Sequence, residues 1–274
     1  MKLTAVLGTI LCANAVIAAP FTELRRERRA AWQRARAVPN KHSLPPQNLT
    51  TADVEGPLSN GVNAQYSSNW AGAVLIGSGY TTVTGTIVVP TPQEPSSGSN
   101  SGTQYAASAW VGIDGDTCQS AILQTGVDFY IEDGQASFDA WYEWFPDYAY
   151  NFDDFTVNAG DTIQMTVTAS STSSGTATLD NLSTGQTVSH SFSGESSELC
   201  ETNAEWIVED FSSGSSLVPF ADFKTVTFTD ASVTTTSGET LGVEGAAILD
   251  IRQNNKVLTD CSISGDSTVT CTYV

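Results

Sequence analysis

The 274-residue sequence has only two histidines, and one of them, His190, is the sole histidine after Gly56. Serine-nucleophile hydrolysis needs a histidine base beside the nucleophile, and His190 sits in a Ser/Thr-rich run, Val188–Phe192. No GxSxG elbow, HExxH pair or glycine-rich phosphate loop occurs. Paired Asp-Thr/Ser-Gly turns, which two-aspartate chemistry would want, are missing as well. Cations are scarce, with 11 Lys+Arg against 30 Asp+Glu and a net charge of −19. A nucleic-acid partner is thereby excluded, because phosphate contacts need clustered Lys and Arg. Cysteine and histidine spacing offers no metal site, and no cofactor is expected. Hydrophobic residues at 40% and charged residues at 15% do not fit a disordered chain.

What charge there is has been segregated. Eight of the 11 basic residues lie at or before Lys41, and after Gly56 three cations face 26 acids, 3 − 26 = −23. Such a domain repels itself at neutral pH and is relieved when its carboxylates protonate, so the composition suits acid. Residues 1–18 read as a secretory signal, with Lys2 before an apolar stretch and small residues at its end. That stretch is too short to span a membrane, and a secreted, extracellular protein follows. Residues 19–56 read as a basic pro-segment whose end falls within 51–66. Phe21–Val38 is its helix-like part, with a positive face suited to docking on the acidic domain as an intramolecular inhibitor that acid releases. Residues 57–274 form the domain itself, expected to be monomeric.

Four cysteines remain once the signal is removed, and an even count in a secreted chain implies disulfides. Cys261 and Cys271 flank a Ser-Gly-Asp turn and form the local pair, which leaves Cys118 to join Cys200. Asn181-Leu182-Ser183 and Asn48-Leu49-Thr50 are glycosylation sequons.

From Tyr66 onward, short runs rich in Thr, Val, Ile, Tyr, Phe and Trp are broken by Gly, Ser, Asn and Asp. This predicts an all-β fold, a jelly-roll-like sandwich of two antiparallel sheets. Side chains alternate along a strand, so Trp110, Gly112 and Asp114 share a face. So do Ile122, Gln124, Gly126 and Asp128; Asp139, Trp141, Glu143 and Phe145; and Glu205, Ile207 and Glu209. Four strands thus each carry a face mixing carboxyl or amide groups with aromatic or apolar side chains. Adjoining, they would make a cleft. A Cys118–Cys200 bridge would bring the segments carrying Gln124 and Glu209 together. Carboxyl chemistry is what remains, and it could act on sugars or on peptides. Glu205 and Glu209 lie about 13 Å apart along one strand, too far to be a glycosidase pair themselves.

The blocks Tyr66–Ile76 (YSSNWAGAVLI), Ala109–Tyr130 (AWVGIDGDTCQSAILQTGVDFY), Asp139–Pro146 (DAWYEWFP) and Cys200–Phe211 (CETNAEWIVEDF) resemble the eqolisins, the glutamic peptidases of fungi. The likeness runs from about Tyr66 to Val274. It implies a sandwich of two seven-stranded antiparallel sheets with the site on the concave face. It further implies a secreted preproenzyme that cuts protein or peptide substrates in acid and resists pepstatin. The family's catalytic dyad falls on Gln124 and Glu209, and its tryptophan and acidic neighbours on Trp110, Asp114, Asp128 and Glu143. Trp141, on the face that carries Glu143, joins these as a supporting, substrate-binding candidate. A secreted glycan-binding or glycan-hydrolysing sandwich is the alternative, since tryptophans and cross-strand carboxyls suit sugars too.

Overall fold

The computed structural model describes residues 40–42, 64–96 and 101–274. They lie in one compact unit, Pro39–Val274. The expected signal, the Phe21–Val38 helix and the Asn48 sequon lie outside the described residues.

In chain order the strands are β1 (Asn40–Lys41), β2 (Gln65–Ser67), β3 (Trp70–Ile76), β4 (Tyr80–Val88), β5 (Tyr105–Ile113), β6 (Ile122–Glu132), β7 (Gln135–Phe145), β8 (Tyr150–Asn151), β9 (Thr162–Ser171) and β10 (Ser174–Asn181). They continue with β11 (Gln186–Ser193), β12 (Asn203–Glu209), β13 (Ser212–Ser213), β14 (Ser216–Leu217), β15 (Thr225–Thr235), β16 (Thr240–Leu241), β17 (Ala247–Gln253), β18 (Lys256–Val257), β19 (Thr259–Ser264) and β20 (Thr268–Tyr273). No helix occurs among the described residues.

Two large sheets form the sandwich. One runs β11-β10-β9-β4-β15-β20-β19, with β16 beside β15. The other runs β18-β17-β3-β12-β5-β6-β7-β8, with β2 beside β17. The strand ladders are antiparallel except that of β2, which runs parallel to β17. Short strands β2, β8, β16 and β18 take the two sheets beyond the seven apiece that the resemblance implies. A third, small sheet, β1-β13-β14, joins Asn40–Lys41 to the segment after β12.

The sheets differ in what their outer faces do. In β9 and β10, buried and half-buried positions alternate, so one side chain in two faces the core and the other faces out. That outward side is a ladder of hydroxyls, with Thr82 against Thr168 and Thr84 against Thr166. In β5 and β12 every residue is buried. Their inner side chains Val111, Trp206 and Val208 join the core between the sheets. Their outer ones join a second apolar cluster that includes Trp70, Trp110, Trp141 and Ile207. A sheet buried on both faces is covered by something, and the cover lies over β5, β6, β7 and β12.

β12 is pinned at its start. Asp114, at φ +67°, is fully buried. Its carboxylate accepts from the backbone amides of Cys200, Glu201, Thr202 and Asn203 at 2.7, 2.8, 2.8 and 3.1 Å. The Cys118–Cys200 disulfide ties the same two segments, and Cys261–Cys271 closes the β19–β20 hairpin. Asn181 is buried, and its amide nitrogen donates to Thr156 O and Asp161 Oδ2. The nitrogen that a glycan at this sequon would use makes both of these bonds.

Replacing Asp114 by Ala strands four amides. The expected loss is about 4 kcal/mol of unfolding free energy, given the cost of unpaired buried donors. Denaturant titration measures it, and Asp114→Asn should recover part. A loss below about 1 kcal/mol, the level of an ordinary surface substitution, would show that the carboxylate does not pin β12.

Candidate active site

The covered face is built by register. Across β12, β5 and β6, Glu209 aligns with Ser108, and Ser108 with Asp128. Glu205 aligns with Gly112, and Gly112 with Gln124, which β7 continues with Glu143. Gly126 aligns with Trp110 on one side and Trp141 on the other. A Cβ at Gly126 would lie 2.5 Å from the Trp110 Cβ, so glycine there lets the indole lie across the strand.

Glu209 is fully buried. Its Oε2 accepts from Trp110 Nε1 at 2.9 Å and its Oε1 from Asn69 Nδ2 at 3.4 Å. Asn69 is itself held by Ser67, whose hydroxyl donates to its Oδ1. The carboxylate is therefore aimed by donors on β5 and on the turn before β3.

The cover is Asn40–His42. His42 is fully buried, its ring stacked on Trp141 with centroids 3.7 Å apart and planes 9° from parallel. Its Nδ1 lies 3.0 Å from Glu209 Oε2, and its Nε2 lies 3.7 Å from Asp128 Oδ1. The two ring nitrogens thus face two different carboxyl groups. The His42 amide donates to Glu143 Oε2 at 3.3 Å, and the His42 carbonyl accepts from Gln124 Nε2 at 3.5 Å. Asn40 Nδ2 donates to Asp128 Oδ2 and to Tyr130 Oη, at 3.0 and 2.8 Å.

One residue thus meets Gln124, Asp128, Trp141, Glu143 and Glu209. Trp110 acts one step back, through Glu209. Asp114 is the exception among the expected residues, since its carboxylate is spent on the 200–203 backbone. It serves the site by placing β12. Sequence reasoning missed Asn69, Phe211, which packs against the His42 ring at 5.2 Å, and the Asn40–His42 seat. The short-range signal for Asn69 was its place within the YSSNW block. For His42 the signal was its standing as the other of two histidines in an acidic protein.

A two-sheet antiparallel sandwich of this kind, with a carboxyl group and a carboxamide meeting the backbone of one residue on its covered face, matches the fold of the glutamic peptidases. The chain belongs to the Peptidase A4 family, whose profile matches residues 68–273, and these are the eqolisins. It is 56% identical to aspergillopepsin-2 of Aspergillus niger and 48% identical to scytalidopepsin B of Scytalidium lignicola, each over the whole of both chains. A crystal structure of scytalido-glutamic peptidase with a transition-state analog inhibitor matches with a TM-score of 0.68 at 52% identity. That match covers 76% of this chain and 98% of that one. Family membership removes the ground for the glycan alternative.

Three further carboxyl groups are buried in the fold. Glu205 is driven well above the usual carboxyl range by burial first, then by Asp116 and Asp114, against the opposing Asp116 amide. Burial raises Asp210 to about 8 although Gln253 Nε2 donates to it at 2.6 Å. Burial raises Asp250 to about 7, opposed by bonds from Thr259 and Cys261. In the unfolded chain such groups titrate near pH 4. Raised folded values mean that their contribution to stability is complete below about pH 4 and is lost as pH climbs toward 7 and 8. The melting temperature should therefore fall between about pH 4 and pH 8, and Asp250→Asn should flatten the fall. A melting temperature that rises over this window would contradict the assignment.

Proposed function

We propose that this protein is a secreted acid endopeptidase whose Glu209 and Gln124 activate a water against a peptide bond, insensitive to pepstatin, and kept shut by its own Asn40–His42. The observation that carries the reading is residue His42, with its N–H on Glu143, its C=O on Gln124 and its ring on Glu209. A backbone carbonyl already meets the amide donor that would stabilise an oxyanion.

The chemistry follows from the groups. Glu209, as carboxylate, takes a proton from a water as the water oxygen attacks the scissile carbonyl carbon. Negative charge develops on the carbonyl oxygen, where the Gln124 Nε2–H donates to it. Trp110 and Asn69 keep the carboxylate in place meanwhile. Glu209 then returns the proton to the leaving nitrogen as the C–N bond breaks, giving a carboxyl and an amine. No histidine base takes part, and the carboxamide does not titrate. A base of carboxyl type that works unaided favours acid. Pepstatin targets a pair of aspartates, which this dyad does not supply.

His42 is substrate-like but inert, because its ring takes the place on Glu209 that the water needs. The ring is held at two carboxyl groups, and contacts of that kind weaken in acid. The basic composition of the pro-segment and the signal-like 1–18 support the secreted, self-inhibited form.

On denatured protein at about pH 3 with pepstatin present, Gln124→Ala should cost roughly 10²–10³-fold in kcat, and Glu209→Gln about 10³-fold or more. Wild-type turnover in either variant would remove that residue from the dyad. In the full chain, His42→Ala should shorten the lag before acid activation. A peptide spanning 39–43 should inhibit more strongly at about pH 5 than at about pH 3, as carboxylates protonate. If a Phe21–Val38 peptide inhibits and the 39–43 peptide does not, the inhibitory role moves away from His42.

A further inference from the structure

A cavity of about 260 Å³ opens between β7, β8 and β11. β8 and β11 end their respective sheets, so the cavity lies at an edge of the sandwich. It uses the other face of β7: Tyr142 lines it, whereas Trp141 and Glu143 face the catalytic side. Its walls are rings. Tyr142 and His190 stack with centroids 3.9 Å apart and planes 10° from parallel. Tyr150 lies 6.0 Å from Tyr142 at 28°, and Phe192 stands edge-on to His190 at 4.8 Å. The charged groups that line it are two carboxylates, Asp147 and Glu195, with no Lys or Arg among the lining residues. Tyr150 is about half exposed, at 48%, so the rings are reachable.

We propose that this cavity is an exosite that takes an arginine side chain of a polypeptide lying across the catalytic face. A guanidinium is planar and always charged, stacks on aromatic faces and meets carboxylates through its fork of N–H donors. A neutral sugar would stack as well, but it brings no positive charge to Glu195 or to Asp147, whose oxygens accept only from the neutral Tyr148 amide and Tyr150 hydroxyl among the bonds found. Burial lowers the proton affinity of His190 despite Glu195, so its ring does not repel a cation near neutrality. The route to the cavity is already marked. Asn40, seated on the catalytic face, accepts from the backbone amide of Ala149 at 3.3 Å. Ala149 lies two residues from Asp147 and next to Tyr150. A polypeptide held as Asn40–His42 is held thus passes the rim of the cavity within a few residues of the scissile site. The occupant, a substrate chain, rests on the peptidase reading; the cavity's preference for a guanidinium does not.

Because the protein has two histidines, the imidazole resonances of His190 can be read directly by NMR and assigned with His42→Ala. Full-length and acid-processed protein are titrated at about pH 6 with N-acetyl-arginine amide, and with its uncharged citrulline analogue, up to tens of millimolar, the range for weak side-chain binding. In at least one form, arginine should shift the His190 ring saturably and bind roughly tenfold or more tightly than citrulline. Tyr150→Ala and Glu195→Gln, neither in the catalytic machinery, should each weaken arginine at least about fivefold with the melting temperature kept. Equal response to arginine and citrulline, indifference to both variants, a shift with chito-oligosaccharide instead, or no shift in either form would overturn the proposal. The readout needs no turnover, so failure of the peptidase reading would leave this result interpretable.

Discussion

The structure turns on one buried carboxyl group. Glu209 sits in the middle of a sheet, and polar groups converge on it: the Trp110 indole, the Asn69 amide and, in this form of the chain, His42. Each donor has to be delivered by the fold. Trp110 needs a glycine opposite, Asn69 needs the Ser67 turn, and β12 needs its start fastened to Asp114. In the proposed mechanism this arrangement supplies the electrostatics of the site.

The same constraint sets the pH behaviour. Carboxyl groups buried at Glu205, Asp210 and Asp250 are tolerated as neutral acids and become liabilities when ionised. The excess of acids, 30 against 11 cations, acts in the same direction, because surface carboxylates repel one another less in acid. The proposed catalysis by a carboxyl group and the proposed release of His42 would draw on that same acidic range.

Much of this was legible in the residues. The strands announced themselves because β-branched runs between Gly, Ser and Asn breaks have few other uses, and alternation alone put Gln124, Asp128, Trp141, Glu143 and Glu209 on shared faces. Cysteine parity and one turn gave both disulfides. Alternation misled at Asp114, because a left-handed backbone at the end of β5 turns its carboxylate toward the 200–203 amides. The buried Asn181 was illegible because a sequon records three residues and not what packs over them. Phe21–Val38, which charge alone suggests for docking, lies outside the described residues. Asn40–His42, within the same expected pro-segment, rests on the site through ring stacking and backbone polarity, which net charge does not reveal. Short strands such as β2 and β8 exist through their pairing partners and leave no local signature.

The central claim is that one glutamate and one glutamine converge on a single peptide carbonyl. A crystal structure of the Glu209→Gln variant, grown in acid with an uncleaved peptide in place of Asn40–His42, tests it most directly. The account predicts the scissile carbonyl oxygen within hydrogen-bond distance of Gln124 Nε2 and a water between the carbonyl carbon and the side chain at position 209. A scissile carbonyl turned away from Gln124, with the water held instead between Asp128 and Glu143, would contradict it.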